Sequence, residues 1–485
     1  MSSAERSFRL TATDVAAFAA ASGDHNPSHV DVSYARRTPS GAPTAHDALG
    51  VLAALAPVPA DVLARVVGVT ARFAQPVAVD AAHRVVVDGT SVSVRRGDVT
   101  AMSIALTTGD PDAAEVFPAA VALPGEPEAD GIAAHPKGSR LDGPYGVPDP
   151  AGLRQLAHRL GADAVPPWLL GALAWTSRLS GMTIPGRDAL VSGLRLRRGD
   201  GAATGRYRAE VRTADERSGA VVVDAVTGPV EAEIRAFQRR PVPGPTRRTA
   251  TSVLPAGEAL AGKHVLVVGG SRGIGSHVVS VLAAQGATVW ATERTAGAVA
   301  ALRREFGDAV RPVRLDATDP DAVRAAFDLL AGQGVRLDGL VLSAGPPIPV
   351  ASLHVDEVPG LRGFLDTSAT SALLPLTAAL AHLRPGAWLA VLSSGAVLDT
   401  PAGRPQYVMA KAALEALGRY CADHHGLRVL LARAPKMWTD MSNGPMGRVG
   451  TVPTERVASA IVGWVLRDGE QRLTVLSPEE LAGRA

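Results

Sequence analysis

Tyr407 and Lys411 lie four residues apart in a segment with helical composition, and this spacing places both side chains on one helical face. An ammonium group beside a phenol stabilises the phenolate, so we expect the pKa of Tyr407 to move down towards the range useful for general acid catalysis. Ser394 precedes Tyr407 by thirteen residues and ends the apolar run 388–394. Its hydroxyl could reach the same substrate carbonyl at the carboxyl edge of a sheet. Together these three residues predict proton transfer to a carbonyl group.

A glycine-rich stretch follows the apolar run His264–Val268 and precedes a segment with helical composition. Gly269, Gly273 and Gly275 are spaced as GxxxGxG. Glycines permit a tight turn and close approach of the backbone to a ligand, and the N-terminus of the following helix can receive a pyrophosphate. This pattern predicts a dinucleotide site.

A third group of polar residues lies near the N-terminus. Asp24 and His29 are separated by Asn26-Pro27, a turn that can bring both side chains towards one point. A carboxylate and an imidazole that share one water can add water to, or remove it from, a conjugated double bond, while a proton moves at the α-carbon. The helical segment that begins near Asp47 could supply amide donors to a thioester oxygen.

The elements that must position these groups divide into three blocks. Two stretches rich in Pro and Gly, 111–150 and 239–263, are predicted to be linkers. Each of the first two blocks has helical spacing followed by strands, which suggests duplicated α+β units. The predicted helices are 14–21, 45–56 and 168–180; the predicted strands are 66–74, 83–89, 100–107, 190–196, 206–212, 220–224 and 230–237.

The third block alternates apolar strand-like runs with helical stretches. The runs are 265–268, 288–291, 338–345, 388–394 and 428–435. This rhythm is typical of a Rossmann-type α/β fold with a doubly wound parallel sheet. The predicted domains are 1–125, 150–240 and 258–485, with a linker at 241–257.

Composition excludes several classes of protein. The chain has 485 residues, enough for two or three domains, and its 46% hydrophobic content excludes a charge-extended disordered chain. The 49 basic and 47 acidic side chains nearly balance, so nucleic acid is not expected as a partner. Cys421 is the only cysteine, which favours a reducing, cytoplasmic compartment. The charged N-terminus does not fit a signal peptide, and no run approaches the about 18 apolar residues of a membrane span, so no membrane partner is expected.

The third block resembles the short-chain dehydrogenase/reductase family. The resemblance implies that Tyr407 donates the proton, that Ser394 orients the carbonyl, and that Lys411 holds the nicotinamide ribose and tunes Tyr407. It also implies a set of cofactor-binding residues in the glycine turn and after the next strands. These are Gly269, Ser271, Arg272, Gly273, Ile274, Gly275, Glu293, Arg294, Asp316, Ala344 and Gly345, together with Lys411.

The third block also departs from that family at several positions. Val268 stands where threonine is common, and 342–345 reads Leu-Ser-Ala-Gly instead of Asn-Asn-Ala-Gly. No asparagine lies near Ala369, where the family completes its proton relay, and Lys436 replaces a usual glycine. An inactive, cofactor-binding assembly protein therefore stays an alternative.

The choice of cofactor depends on three side chains. Arg272 and Arg294 could pair with a 2′-phosphate, whereas Glu293 could bind the ribose 2′-hydroxyl and repel that phosphate. Two arginines against one carboxylate favour NADPH, with NADH possible.

The first block resembles the MaoC-like, (R)-specific enoyl hydratase/dehydratase family, which has a hot-dog fold. The matching text is SGDHNPSHVDVSYARR, followed after a short loop by AHDALG. The resemblance implies that Asp24 and His29 are the catalytic pair and that the amide around Asp47 contributes to the oxyanion site. A carboxylate at Asp47, where the family usually has glycine, would oppose negative charge on the substrate. The second block would then be a second hot-dog unit that completes an acyl pocket, giving a double hot-dog domain.

Both resemblances imply a 3-hydroxyacyl thioester. We therefore predict a bifunctional 3-oxoacyl-thioester reductase and 3-hydroxyacyl-thioester dehydratase of fatty-acid or polyketide type, with no metal. The reverse direction, hydration followed by dehydrogenation, is equally compatible. The substrate would be carried by an acyl carrier protein or coenzyme A, and the protein would be a homodimer or homotetramer. An alternative is a ketoreductase whose hot-dog part only binds acyl groups or mediates dimerisation.

Overall fold

A computed structural model describes residues 4–110, 117–123, 125–199, 201, 204–445, 447–467, 469 and 471–483. The chain forms two compact units, Met1–Arg240 (unit 1) and Pro241–Ala485 (unit 2). Residues 111–116 and 124 of the first predicted linker lie outside the described residues.

Unit 1 is built from strands and a smaller number of helices. Its described strands are β1 (Ala4–Arg9), β2 (Val66–Phe73), β3 (Ala82–Asp88), β4 (Ser91–Arg96), β5 (Val99–Thr108), β6 (Ala119–Ala120), β7 (Arg140–Pro144), β8 (Gly146–Val147), β9 (Ala189–Arg198), β10 (Arg206–Asp215), β11 (Ala220–Val226) and β12 (Val230–Gln238). Its described helices are α1 (Ala12–Ser22), α2 (Pro27–Val30), α3 (Val32–Ala35), α4 (Asp47–Leu55), α5 (Ala60–Leu63), α6 (Gly131–Ala134), α7 (Pro150–Arg159) and α8 (Pro167–Arg178).

Ten of these strands form one antiparallel sheet in the order β1-β3-β4-β5-β2-β9-β12-β11-β10-β7. Counted within each half, both halves have the order 1-3-4-5-2, and each has one apolar helix between its first and second strands. The halves join where β2 pairs with β9, with Val69 opposite Leu196. The expected duplication is therefore present in the topology, although no sequence motif is shared.

The apolar helices α4 and α8 lie at the centre of unit 1 and contact each other. Both are apolar around most of their circumference, as is typical of helices buried in a core. One hydrophobic cluster includes Leu52 of α4, Trp168 of α8 and inward-facing strand residues of both halves. Because the two halves share this core, they fold as one unit.

Unit 2 alternates strands and helices. Its described strands are β13 (His264–Val268), β14 (Thr288–Glu293), β15 (Val310–Arg314), β16 (Leu337–Leu342), β17 (Leu383–Ser394), β18 (Arg428–Ala434) and β19 (Leu473–Leu476). Its described helices are α9 (Arg247–Ala250), α10 (Gly273–Ala284), α11 (Ala300–Phe306), α12 (Pro320–Gly332), α13 (Val358–Leu380), α14 (Ala396–Asp399), α15 (Pro405–His424), α16 (Thr454–Leu466) and α17 (Pro478–Leu481).

All neighbouring strands of unit 2 pair in parallel, in the order β15-β14-β13-β16-β17-β18-β19. Two separate hydrophobic clusters cover the sheet, one with Val267 and one with Leu266, neighbours on β13 whose side chains point to opposite faces. The predicted doubly wound parallel sheet is confirmed. Its five predicted strands are present, and β15 and β19 are additional.

The two predicted linkers contain regular structure. Within the first, β7 pairs with β10, since the Asp-Gly-Pro sequence that looked like a loop lies on an edge strand, where proline is tolerated. Within the second, α9 buries Ala250 in the core of unit 2. Among the described residues, no helix is both long and apolar enough to cross a membrane.

Two candidate active sites

The first site lies at the carboxyl edge of the parallel sheet in unit 2. Strand β17 ends at Ser394, and α15 begins at Pro405, so that Tyr407 lies in the first helical turn. The side chain of Ser394 lies near the phenol of Tyr407 and favours its ionised form. Lys411 follows one turn later, with its Nζ 5.7 Å from the centre of the Tyr407 ring. The structure thus brings the three predicted residues together.

The electrostatics of this site differ from the expectation for Tyr407. Burial raises the pKa of Tyr407, and the side chain of Ser394 and the charge of Arg404 offset only part of that rise. Burial also lowers the pKa of Lys411 to about 8. The ammonium donates a hydrogen bond of 2.7 Å to the carbonyl oxygen of Leu392 instead of to the phenol. Our expectation that Lys411 lowers the pKa of Tyr407 is therefore wrong for this arrangement.

The glycine turn lies between β13 and α10. Arg272 is the N-cap of α10, and Gly273 is its first residue. A Cβ atom on Gly275 would collide with the carbonyl oxygen of Gly269, so the tight turn requires glycine there. The neighbouring loop meets this turn, because the Oγ of Ser343 donates a hydrogen bond of 2.8 Å to Val268. The turn and the 12-residue helix behind it suit a pyrophosphate.

Of the residues predicted to select the cofactor, Glu293 and Arg294 lie at the end of β14, and Arg272 lies in the glycine turn after β13. Glu293 is buried, and its carboxylate accepts hydrogen bonds of 3.0 and 2.8 Å from the amides of Gly297 and Val299. Arg294 is half exposed and lies 4.0 Å from the carboxylate of Asp316. Arg272 is also partly exposed and pairs with Asp440 at 3.5 Å. The carboxylate of Glu293 is thus hydrogen bonded to the loop that follows it, whereas the guanidinium groups of Arg272 and Arg294 lie at the surface.

The remaining predicted cofactor residues border the same turn. Ser271, Ile274 and Ala344 are half-buried, and Gly345 is exposed. Ala369 lies half-buried on α13, where the expected asparagine is missing.

The second site lies in unit 1, where α1 ends and α2 begins. Asp24, His29 and His46 each have one side-chain ligand atom within 4.8 Å of those of the other two. The rings of His29 and His46 are tilted by 31° relative to each other, and their centres lie 4.0 Å apart. Because the ligand atoms of Asp24 and His29 lie within 4.8 Å of each other, one water can bridge the carboxylate and the imidazole. The sequence motif therefore does bring Asp24 and His29 together.

Hydrogen bonds to backbone carbonyls set the tautomers of these histidines. Nδ1 of His29 lies 2.8 Å from the carbonyl oxygen of Thr44, which can only accept, so Nδ1 carries the proton and Nε2 has a free lone pair. Burial lowers the pKa of His29, with the charge of Asp24 opposing that shift. Burial raises the pKa of Asp24, although His29 and Ser177 favour its ionised form. A neutral His29 can therefore act as a base through Nε2.

Residues from the second half of unit 1 hold the dyad in place. Ser177, at the end of α8, donates a hydrogen bond of 2.6 Å to Oδ2 of Asp24. Arg178 donates one of 2.6 Å to the carbonyl oxygen of Gly23. The side-chain amide of Asn26 donates to the carbonyl oxygens of Gly181 and Gly186, at 2.7 and 3.0 Å. None of these second-half contacts was predicted from the sequence.

Gly181 permits the close approach of the two halves. A Cβ atom at this position would collide with both carboxylate oxygens of Asp24. Gly181 lies in the π-helical turn Leu179–Thr183 that continues from α8. Such turns often occur at functional sites.

Asp47 is the first residue of α4, next to the N-cap residue His46. Burial, followed by the charge of Asp24, raises the pKa of Asp47 to about 7. The expected fully charged carboxylate is therefore replaced by a group that is partly protonated near neutral pH.

Asp24, His29 and His46 are also the residues that could hold a metal ion, because of their close ligand atoms. Two of these residues, Asp24 and His46, already have other partners. The hydroxyl of Ser177 and the backbone amide of Asn26 donate hydrogen bonds to the Asp24 carboxylate. Nε2 of His46 lies 2.9 Å from the backbone carbonyl oxygen of Asp24.

Comparison with known proteins assigns part of each unit to a family. Residues 2–108 match the family described as MaoC like domain, and residues 268–470 match the family described as Enoyl-(Acyl carrier protein) reductase. The cis-4-hydroxycyclohexanecarboxylate dehydrogenase of Sinomonas cyclohexanicum is 34% identical over 170 residues, which is 34% of this chain and 68% of that protein. The chain belongs to the short-chain dehydrogenase/reductase family and has an N-terminal MaoC-like domain.

Two further proteins are similar to the short-chain dehydrogenase/reductase domain. The 3-oxoacyl-[acyl-carrier-protein] reductase of Vibrio harveyi is 28% identical over 222 residues, covering 42% of this chain and 89% of that protein. The crystal structure of a short-chain dehydrogenase from Streptomyces avermitilis covers 46% of this chain and 91% of its own, with 24% identity and a TM-score of 0.40.

The short-chain dehydrogenase/reductase domain contains two further polar residues that the sequence analysis missed. Glu415, one turn after Lys411 on α15, is buried and forms two hydrogen bonds with the guanidinium of Arg433 on β18, at 2.9 and 2.8 Å. The continuing i, i+4, i+8 spacing from Tyr407 could have indicated Glu415. No pattern indicated Arg433, because it interrupts an otherwise apolar strand.

Proposed function

We propose that the protein reduces 3-oxoacyl thioesters to 3-hydroxyacyl thioesters and then removes water to form the enoyl thioester. The observation that carries this proposal is the presence in one chain of two assembled sites that share one chemical intermediate. A ketone reductase makes the β-hydroxyl group that a MaoC-like dehydratase eliminates. A shared chain raises the effective concentration of that intermediate at the second site.

In the reductase site, the chain supplies a proton and orients the substrate. Tyr407 would donate its proton to the 3-oxo oxygen, which the hydroxyl of Ser394 would also hydrogen bond. The raised pKa of Tyr407 keeps the phenol protonated at neutral pH, as a proton donor requires. Lys411 would hold the nicotinamide ribose. The bound nicotinamide cofactor would supply the two electrons and the hydrogen that reach the carbonyl carbon.

In the MaoC-like site, elimination needs a base for the α-proton and an acid for the departing hydroxyl. Nε2 of His29 has the free lone pair that a base requires, and the protonated ring would then pass this proton to the departing hydroxyl, which leaves as water. Asp24 would bind and orient the water that leaves or attacks, with Ser177 holding its carboxylate. The amide at Asp47, at the start of α4, would donate to the thioester oxygen. The reverse reaction, hydration, uses the same groups.

For the cofactor, we propose NADPH, with NADH as the alternative. The carboxylate of Glu293 is buried and accepts two backbone hydrogen bonds, which leaves it less able to bind a ribose 2′-hydroxyl. Arg294, after β14, and Arg272, in the glycine turn after β13, are half exposed, and a 2′-phosphate would add favourable charge pairing there.

For the architecture of unit 1, we propose a double hot-dog domain, with residues 1–125 as the catalytic half and 150–240 as the half that completes the acyl pocket. The repeated 1-3-4-5-2 strand order supports this assignment. The strand β7 lies before residue 150 and belongs to the second half by its pairing with β10. The reductase domain would extend over 258–485, after a linker at 241–257.

For partners, we propose an acyl carrier protein or coenzyme A as the thioester carrier and a homodimer or homotetramer as the assembly. The name of the Vibrio harveyi relative, a 3-oxoacyl-[acyl-carrier-protein] reductase, supports the carrier. Exposed apolar side chains on α13 and α15, including Leu373, Met409 and Tyr420, support pairing through these helices.

The experiment that tests the proposal follows a 3-oxoacyl thioester with purified protein and NADPH or NADH by mass spectrometry. We expect the acyl mass to gain two hydrogens and then to lose one water, with the loss abolished in His29→Ala. Accumulation of the 3-hydroxyacyl product could reflect an equilibrium that favours hydration, so the enoyl thioester must be supplied separately. If the wild type reduces the ketone but neither dehydrates nor hydrates, the protein is a ketoreductase with an acyl-binding N-terminal unit. If it oxidises neither cofactor, the inactive assembly protein is the correct interpretation.

A further inference from the structure

The last three residues of β17 each face a different turn of α15, and two of them are hydrogen bonded to it. The carbonyl oxygen of Leu392 accepts a hydrogen bond of 2.7 Å from Lys411. The Oγ of Ser393 donates one of 2.7 Å to Oε1 of Glu415. The side chain of Ser394 lies near Tyr407 and favours its ionised form. The end of the strand and the catalytic helix therefore meet at three consecutive residues, and the middle one, Ser393, lies outside the predicted site.

The middle contact extends to the neighbouring strand. Ser393 pairs with Arg433 in the parallel register of β17 and β18. Arg433 donates from Nε and from a terminal nitrogen to the two oxygens of Glu415. One carboxylate thus joins α15, β17 and β18 directly beside Ser394.

The charge of Glu415 is balanced within this cluster. Burial opposes its ionisation, but the hydrogen bonds from Arg433 and Ser393 and the charges of Arg433 and Arg419 outweigh it, so the pKa lies below the ordinary value. Lys411 has no part in that balance and donates to Leu392 instead. The buried pair is costly to form, and hydrophobic residues of similar volume would often be as stable. Such a pair therefore suggests a role in fixing the relative positions of β17, β18 and α15.

We propose that Glu415 is a positioning residue of the reductase site, which acts through Ser393 and Arg433 to fix the separation of Ser394 from Tyr407 and Lys411. This inference rests on the proposed reductase function. When Glu415 is removed, β17 and α15 lose their middle contact, and the distance between the side chains of Ser394 and Tyr407 is no longer fixed. Catalysis is sensitive to this, because a misplacement of about 1 Å can cost about 100-fold in rate.

The test uses the full-length protein with graded substitutions. Ser393→Ala removes one hydrogen bond to Glu415, and Glu415→Gln removes its charge. The double variant Glu415→Leu/Arg433→Met removes both charges and leaves neither unpaired. Ser280→Ala is the matched control, because Ser280 is equally buried in unit 2 and its hydroxyl bonds only His277 within α10.

We expect kcat for 3-oxoacyl thioester reduction to fall about 10-fold in Ser393→Ala and about 100-fold in Glu415→Gln. The KM of the thioester and the Kd of NADPH should each change less than about 3-fold, because Glu415 touches neither ligand. Compared with Glu415→Gln, the double variant should return to the melting temperature of the wild type but not to its kcat. Recovery of both together would overturn the proposal, since the pair would then serve stability alone. An unchanged kcat in Glu415→Gln would also overturn it.

A second readout does not depend on turnover. The pKa of Tyr407 can be measured from phenolate absorbance as the difference between titrations of each protein and its Tyr407→Phe counterpart. A looser placement of the Ser394 side chain should raise this pKa further in Glu415→Gln and leave it unchanged in Ser280→Ala. If the wild type is inactive, the proposed function fails, and this titration alone decides the positioning role. A pKa that is equal in wild type and Glu415→Gln contradicts that role.

Discussion

The two sites differ in how far apart in the sequence their groups lie. In the reductase domain, Ser394, Tyr407 and Lys411 come from one stretch, and α15 alone sets the relation of the last two. In the MaoC-like domain, the carboxylate of Asp24 is held by Ser177, 153 residues later. The first site needs one helix and the end of one strand, whereas the second needs both halves of a ten-stranded sheet. The second half of unit 1 is therefore part of the construction of the site and more than a neighbouring surface.

The largest expected effects test whether the two sites act independently. Tyr407→Phe should lower the kcat of thioester reduction by at least about 100-fold, because it removes the proton donor, and should leave enoyl hydration unchanged. Asp24→Asn should slow enoyl hydration and leave thioester reduction unchanged. Cofactor absorbance measures the first reaction, and loss of the enoyl thioester chromophore measures the second. A loss of both activities in either variant would show that the sites are coupled.

Ser177→Ala tests the contribution of the second half. We expect hydration to slow about 10- to 100-fold, since hydrogen bonds to charged groups contribute about 1.5–3 kcal/mol. Reduction should be unaffected. Ser180→Ala is the control, because its hydroxyl bonds only the carbonyl oxygens of Thr176 and Ser177. Equal hydration rates in the two variants would mean that the second half does not position Asp24.

Asp47 gives the MaoC-like site a pH dependence. With its pKa raised to about 7, the carboxyl is neutral below that pH and anionic above it, where its charge opposes negative charge on the thioester oxygen. Hydration should therefore slow about 10-fold between about pH 6 and about pH 8, and Asp47→Asn should not show this loss. A decline of the same size in Asp47→Asn would assign the titration to another group.

Thermal unfolding provides a second check on Asp47. Its folded pKa lies above the ordinary value of 3.8, so its ionisation favours the unfolded chain. Relative to Asp47→Asn, the wild type should lose stability as the pH rises from 3.8 to about 7 and keep a constant difference above that.

Lys411→Arg should have the smallest effect, confined to alkaline pH. Because burial lowers the pKa of Lys411 to about 8, its ammonium is lost above that pH, and with it the charge that holds the cofactor ribose. The wild-type Kd for NADPH should rise by a few-fold for each pH unit above 8, whereas the arginine variant stays charged and should show a flatter profile. Fluorescence titration measures the Kd of each protein over a range of pH, and the slopes of Kd against pH are compared. A loss of affinity that is equal at every pH does not change these slopes. Parallel slopes would exclude Lys411 as the titrating group.

Much of the fold was accessible from sequence periodicity. The helices around 14–21, 45–56 and 168–180 and most strands of both units follow from apolar spacing, because burial of one face is a local property of the sequence. Strands β1, β4 and β7 of the ten-stranded sheet were not predicted, nor were β15 and β19 of the parallel sheet. Strands β1 and β7 have charged or glycine- and proline-containing sequences and lie at the edges of the sheet, where pairing sets strand structure more than apolar spacing does.

The sequence by itself determined the residue types and local spacings of both sites. Tyr407 and Lys411 share a face because a helix has 3.6 residues per turn, and Asp24 and His29 meet across a short Asn-Pro turn. Tertiary structure alone decided which distant groups complete them. The hydroxyl of Ser177 and the guanidinium of Arg433 reach their carboxylates only after the strands have paired. The pKa values of Asp47 and Tyr407 were likewise decided by burial, which depends on every segment packed around a group and is not encoded in the spacing of a motif.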